Sequence, residues 1–224
     1  MSARCRDRYV APAVDDHWLE WHRAYDDPAS RLSRRRAVVV EAIRSFLDGA
    51  PGGPIRLLSL CAGDATDISL AVDGHHRRGD LTGAAVELHP QLARRAQENL
   101  DRVGARVEVR IGDAGRPATF ADVVPVDLLL VVGVFGNITD GAIERTVRAV
   151  PALCRPGATV IWSRHRRPPD MTTEIRRWFD ELGATSTAFV SDGAGGFAVG
   201  AHRIDHLVSE ADMPEQLFEF KPDR

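Results

Sequence analysis

The sequence predicts an α/β fold in three layers: a mostly parallel sheet covered by helices on both faces and ending in an antiparallel hairpin. Three observations carry this. From residue 55 onward, short apolar runs of β type alternate with stretches of helical periodicity, the signature of right-handed βαβ units. The segment "VDLLLVVGV" (Val126 to Val134) is apolar almost throughout, as a strand buried on both faces must be. Near the end, "ATSTAFVSD" and "FAVGAHRI" flank the glycine-rich "GAGG", which reads as a hairpin.

The elements follow in order. Residues 1–16 are polar. "HWLEWHRAYDDP" places Trp18, Trp21, His22 and Tyr25 at helical spacing, and Pro28 breaks the pattern. Ser30 or Ser33 would cap the next helix, which carries Val38, Val39, Ala42, Ile43, Phe46 and Leu47 on its apolar face. "DGAPGGP" (Asp48 to Pro54) then punctuates the chain. We therefore read residues 1–54 as an N-terminal helical segment or lid and 55–224 as the α/β domain. Strands are predicted at 55–60, 81–87, 106–111, 126–132 and 157–163. Helices are predicted at about 66–77, 89–103, 117–123, 140–153 and 171–182.

The bulk numbers limit the function classes. The chain has 224 residues and a net charge of −3, so no overall basic field suggests nucleic acid or a membrane surface. Lys221 is the only lysine; positive charge is otherwise arginine, clustered in "RLSRRR" (Arg31 to Arg36) and "RHRR" (Arg164 to Arg167). The 3 cysteines show neither disulfide nor metal-ligand spacing. His75-His76 has no carboxylate at ligand spacing in sequence, so no metal site is expected. The N-terminus has no apolar signal core and no run reaches spanning length, so a cytoplasmic location is expected.

In an open parallel sheet, ligands bind beyond the carboxyl ends of the strands. After the first strand comes Cys61-Ala62-Gly63-Asp64, where small residues let a ligand approach and the next helix offers N–H groups. After the second comes Glu87, followed by Leu88; Glu87 lies 24 residues beyond Gly63, about where a ribose-binding carboxylate belongs. Asp113 and Ala114 follow the third strand. Gly133 to Asn137 ("GVFGN") follow the fourth, and would wall the site. Asp64 and Asp67 beside the first turn oppose a pyrophosphate and favour a cationic cofactor.

This ordered set resembles the class I S-adenosylmethionine-dependent methyltransferases, a Rossmann-like family, over about residues 55–204. "LLSLCAGDATD" corresponds to the family's glycine-rich first motif, Glu87 to its acidic ribose position and Asp113 to its adenine contact. "VELHPQLARRAQENL" is similar to its second strand and helix, and the terminal hairpin to its last two of seven strands. Within it, "SLCAGD" and "WLEWHRAYDDP" look like a bacterial group of unassigned substrate. The resemblance implies S-adenosylmethionine as cofactor, held by Cys61, Ala62, Gly63, Asp64, Asp67, Glu87, Leu88, Asp113, Ala114, Gly133 and Val134.

The departures are specific. The family usually has Asp or Glu at the place of Ser59, and glycine at the places of Cys61 and Ala65. Asp64, Asp67 or the N-terminal segment would then substitute for the missing acid. Methyl transfer is an in-line displacement that needs alignment, exclusion of water and, for a hydroxyl acceptor, a base. His165 is the candidate base, with Asn137 as a second candidate catalytic group or a cap for the helix near Thr139. Trp21, His22, Tyr25, Phe135 and Arg164 are candidate lid and acceptor contacts. The expected acceptor is a small molecule, methylated at oxygen or nitrogen, and the arginines would suit an anionic one. An RNA or protein acceptor and a non-catalytic cofactor-binding partner remain as alternatives. The oligomeric state is left open between monomer and homodimer.

Overall fold

The computed structural model describes residues 23–193, 195–205 and 213–221. Trp21 and His22, the candidate lid residues, lie outside the described residues.

Seven strands form one sheet: β1 (Ile55–Leu60), β2 (Leu81–Glu87), β3 (Arg106–Ile111), β4 (Val126–Val131), β5 (Cys154–His165), β6 (Thr185–Ser191) and β7 (Phe197–Arg203). Their order across the sheet is β3-β2-β1-β4-β5-β7-β6. The first five pair in parallel, and β7 runs antiparallel to both β5 and β6. The chain leaves β1 toward β2 and β3 on one side and returns to β4 on the other. That reversal opens a crevice between the carboxyl ends of β1 and β4, where ligands of such sheets bind.

Two apolar layers cover the sheet. On one face α1 (Arg31–Gly49), α2 (Thr66–Val72) and α3 (Pro90–Arg102) bury Val39, Ile43, Leu47, Ile68, Ala96 and Leu100 against Leu57, Leu128 and Ile161. On the other, α4 (Asp140–Arg148), the short α5 (Val150–Leu153) and α6 (Thr172–Glu181) bury Ile143, Val147, Ile175 and Phe179 around Trp162. Ser30 caps α1, its hydroxyl accepting from the Ser33 N–H at 3.1 Å. The described part of the N-terminal segment thus belongs to the helical layer through α1. Among the described residues no helix is long and apolar enough to cross a membrane.

Local chemistry moves several predicted boundaries. The helix expected at 66–77 stops at Val72, because Asp73 is extended and Gly74 takes φ 70°. The helix expected at 117–123 is only a 3₁₀ turn, Pro117–Thr119, which delivers the buried Phe120 to the core. The helix expected at 140–153 divides at Ala149, ahead of Pro151. β5 extends beyond 157–163 at both ends, so Arg164 and His165 belong to the strand itself.

A segment with no predicted role closes the carboxyl edge. Residues 213–221 run as a strap from the loop after β3 to the loop after β4. The Leu217 N–H donates to the Gly115 carbonyl at 2.7 Å, and the Lys221 N–H donates to the Asn137 carbonyl at 2.9 Å. Phe220 forms a bridge with Ile138, Arg145 donates to the Leu217 carbonyl, and Leu217 and Phe218 are buried. Gly115 is required here: a Cβ on it would lie 2.1 Å from the Phe218 carbonyl oxygen.

Candidate active site

The loop after β1 keeps a glycine-type conformation with few glycines. Cys61 has φ 54°, Gly63 φ 58° and Ala65 φ 51°. Left-handed backbone costs a residue with a Cβ about 1 kcal/mol. The fold holds these two non-glycine residues there by fixed partners. The Ala62 N–H donates to the Val86 carbonyl, and the Ala65 N–H to the Ala62 carbonyl, both at 2.9 Å. The Asn99 amide of α3 donates to the Asp64 carbonyl at 2.8 Å.

Glu87 is the hub of this loop. It is buried, and its two carboxylate oxygens accept the backbone N–H groups of Gly63 and His89, each at 2.8 Å. Burial raises its pKa, against the lowering by those N–H groups. The Leu88 N–H also bonds this carboxylate, so most of its roughly four acceptor directions are used within the loop. Cys61 faces Glu87 and Asp113; burial and these two acids push its thiol well up. A thiol held protonated at neutral pH is no nucleophile.

The N–H groups that open α2 are partly taken by its own acids. The Thr66 N–H donates to Asp64 at 3.1 Å and the Ile68 N–H to Asp67 at 2.8 Å. The sequence-based expectation of open N–H groups for a ligand is therefore corrected at these two positions. Burial raises Asp67 to about 6, the Ile68 N–H opposes this, and Asp64 adds to it. Ser59, the position lacking the expected acid, is buried beneath this loop. Asp113 is half-buried and closes an Asx turn, accepting the Gly115 N–H at 2.8 Å, with the Arg116 guanidinium 3.5 Å from its other oxygen. Ala114 is buried, and Val134 is fully buried, backbone included. Leu88 is half-buried between Glu87 and the His89 cap of α3.

Tyr25 reaches this acidic region from the N-terminal segment. Its hydroxyl accepts from the Arg35 guanidinium at 2.6 Å, and the Arg36 guanidinium sits 4.7 Å over its ring. Burial, with Asp67 and Asp64, raises the Tyr25 phenol, while Arg35 lowers it. Arg35 is itself buried, and a Cβ on Gly133 would lie 3.8 Å from its guanidinium. Arg35 therefore stands at the seam between the β1 loop and the end of β4.

Beyond Arg35 lies a cleft of about 130 Å³ between α1, the carboxyl ends of β4 and β5, and the hairpin turn. Arg31, Arg35, Arg164, Arg167 and His165 line it, and among the described residues no carboxylate does. Gly133 forms its floor and is pinned from both sides: its N–H donates to Ser163 at 2.9 Å and its carbonyl accepts the Asn137 amide at 2.6 Å. Asn137 therefore closes this turn. It does not cap α4; Thr139 does, accepting from the Ala142 N–H at 3.2 Å. His165 packs against Gly136, where a Cβ would lie 3.1 Å from its ring.

Two candidate acceptor contacts have other tasks. Phe135 is buried in the core, its ring 6.2 Å from that of Trp162, so its side chain is no acceptor contact. Arg164 is buried and donates to the carbonyls of Phe135 and, at 3.3 Å, Pro169, with Asp140 at 3.7 Å. It braces the β4 loop against the segment after β5. The hairpin residues Gly195, Gly196 and Phe197, which the sequence pattern does not place at a site, also wall the cleft. They reach the cleft because β7 is antiparallel and begins at the carboxyl edge.

At the opposite edge, Asp48, His75 and His76 converge, so a carboxylate does join the histidine pair through space. The His75 Nδ1 accepts the Arg77 N–H at 3.1 Å, which leaves the neutral ring's proton on Nε2, 3.1 Å from Asp48. The arrangement is a hydrogen-bonded tether between α1 and the turn after α2.

No family model matches the chain, and no curated protein matches it. Solved structures do match. The CurJ carbon methyltransferase superposes with a TM-score of 0.57 at 14% identity, over 76% of this chain and 54% of that one. An O-methyltransferase family protein from Burkholderia thailandensis gives 0.57 at 15%, over 82% and 62%. Fibrillarin from Aeropyrum pernix, in complex with natively bound S-adenosyl-L-methionine, gives 0.52 at 18%, over 72% and 74%. The chain thus spans about half the length of the CurJ structure. The shared property is the fold, which is that of the class I S-adenosylmethionine-dependent methyltransferases.

Proposed function

We propose that this protein is an S-adenosylmethionine-dependent methyltransferase acting at an oxygen or nitrogen of a small anionic acceptor. The observation that carries the reading is the division of charge along the carboxyl edge. Asp64, Asp67, Glu87 and Asp113 gather around the ends of β1 to β3, while Arg31, Arg35 and Arg167 line the cleft beyond β4, beside Arg164, which is bonded to backbone carbonyls. A sulfonium cofactor is cationic and suits the first region. An anionic acceptor suits the second.

In this reading the Glu87 carboxylate takes the ribose hydroxyls, and the backbones of Ala62, Gly63 and Gly133 approach the methionine end. Asp113 and Ala114 flank the adenine. Asp64 and Asp67, with Tyr25 above them, supply the negative charge that Ser59 lacks. Tyr25 and Arg35 are the parts of the N-terminal segment that cover the seam and exclude water from the transferring methyl. A cofactor bound here supplies an electrophilic methyl group. The chain's residues hold it, hold the acceptor in line, and keep solvent out.

Calorimetric titration with S-adenosylmethionine and S-adenosylhomocysteine tests the reading. One binding site per chain is expected, and absence of heat with both compounds contradicts it. Binding unaltered in Glu87→Ala would remove Glu87 from the site.

A further inference from the structure

We propose that the methylated atom is a carboxylate oxygen of the acceptor, so that the product is a methyl ester and no general base is used. The inference rests on the methyltransferase reading above and goes further by naming the reacting group.

The cleft sets the chemistry. It is small, about 130 Å³, less than the roughly 150 Å³ of a cavity that takes up one benzene. A molecule of that size that also carries a separate anionic anchor has little length left to offer a distant hydroxyl or amine. The lining cations are graded in position. Arg167 is exposed at the mouth, and Arg31 lies there too, donating to the Gly195 carbonyl at 2.7 Å. Arg35 is buried beside Gly133 and bonded to Tyr25 at the margin of the acidic β1 loop. An anion drawn in by this series comes to rest at the seam, next to where a methyl would be delivered. Its negative oxygens are then the atoms closest to the methyl.

The proton accounting agrees. A hydroxyl or ammonium acceptor must lose a proton before or during attack. Among the described residues no carboxylate lines the cleft to receive one, and the imidazole that lines it, His165, stands among guanidinium groups. A carboxylate with a pKa near about 4 arrives already ionised. Its oxygen lone pair forms the O–CH₃ bond while the CH₃–S⁺ bond breaks and its electron pair returns to sulfur. The anion becomes a neutral ester, the sulfonium becomes a neutral thioether, and no proton moves. The two charges that the edge separates cancel in the step.

The test uses the full chain with methyl-tritiated S-adenosylmethionine. The acceptors are a panel of short mono- and dicarboxylic acids, each beside its primary amide and its alcohol. Ester product releases volatile tritiated methanol in mild alkali. Transfer to at least one acid is expected at ten-fold or more the rate with its amide or alcohol, a gap of about 1.4 kcal/mol or more. kcat/KM is expected to stay flat between about pH 6 and 9. Arg167→Ala, at the mouth, is expected to raise KM for that acid about ten-fold with kcat little changed, as loss of a steering charge does. Alkali-stable product, or kcat/KM rising through a single ionisation near neutrality, overturns the proposal. So does the absence of transfer to every acid while S-adenosylhomocysteine binds normally. Absence of that binding instead overturns the underlying methyltransferase reading.

Discussion

The two halves of the carboxyl edge are built from the same kind of strand ends but carry opposite charge. Around β1 to β3 the loops present Asp64, Asp67, Glu87 and Asp113, and much of their hydrogen bonding is turned inward. Glu87 holds Gly63 and His89, Asp64 and Asp67 hold α2, and Asp113 holds Gly115. Around β4, β5 and the hairpin the cleft is lined by arginines, and the pinned backbone is glycine. The acidic half is a preorganised cradle whose carboxylates fix their own loops. The basic half is a charged mouth over a rigid floor. Arg35 and Tyr25 join the two.

The largest expected effect is on the acidic half. Glu87→Ala leaves the Gly63 and His89 N–H groups without their buried acceptor, at about 1.5–3 kcal/mol for each charge-assisted bond. Denaturant unfolding should show a loss of about 3 kcal/mol or more. Calorimetry should show S-adenosylhomocysteine affinity reduced at least about 100-fold. If only stability falls, Glu87 serves the loop alone.

Next comes Arg35→Ala. Turnover is expected to fall about 100-fold, with cofactor affinity changed by less than about five-fold. The reverse pattern would place Arg35 on the cofactor side and erase the division drawn here.

The strap touches both halves, and Gly115→Ala examines it. The new Cβ would meet the Phe218 carbonyl at 2.1 Å, so the strap must shift. A loss of about 2 kcal/mol is expected by thermal unfolding, together with weaker cofactor binding. Unchanged stability would mean that the strap is not fixed against Gly115.

The pH responses of the two halves should oppose each other. His202, on β7 below the basic half, is buried with both ring nitrogens unbonded among the described residues, and stacks on Phe179 with centroids 4.3 Å apart. Burial lowers its pKa to about 4, and Arg176 adds to the effect. As pH falls below the ordinary value near 6.5 the unfolded chain takes up a proton that the folded chain refuses. Stability is then lost between 6.5 and about 4, by about 3 kcal/mol in total. His202→Leu should flatten that limb in urea titrations at several pH values. Asp67 runs the other way, because its folded pKa is raised to about 6 from 3.8. Its ionisation costs stability above about 6, and that cost disappears as pH falls through about 6 toward 3.8. Asp67→Asn should gain about 1 kcal/mol at pH 8 after allowance for solvent screening, and nothing below about pH 4.

Much of the scaffold is legible in the sequence because burial writes itself as apolar runs. Val126 to Val134 announces the central strand, and "GAGG" announces the hairpin. The loop after β1 is legible in position but not in conformation. Cys61 and Ala65 carry Cβ atoms and still adopt φ 54° and 51°, since tertiary hydrogen bonds override local preference. Arg35 hides in "RLSRRR", which reads as a solvated cluster. Its phase against Val39 and Ile43, four and eight residues on, places it on the buried face of α1. The strap is invisible because its contacts are chiefly backbone hydrogen bonds between segments about 100 residues apart, such as Gly115 with Leu217. Phe135 misleads because a large apolar residue after a strand suits a pocket and a core equally well.

The most direct measurement is titration of the wild-type chain with S-adenosylhomocysteine, repeated in Glu87→Ala and Arg167→Ala. One site per wild-type chain is expected, lost in Glu87→Ala and kept within about three-fold in Arg167→Ala. No binding to the wild type, or binding that depends on Arg167 and not on Glu87, would contradict the assignment of the acidic half to the cofactor and the basic half to the acceptor.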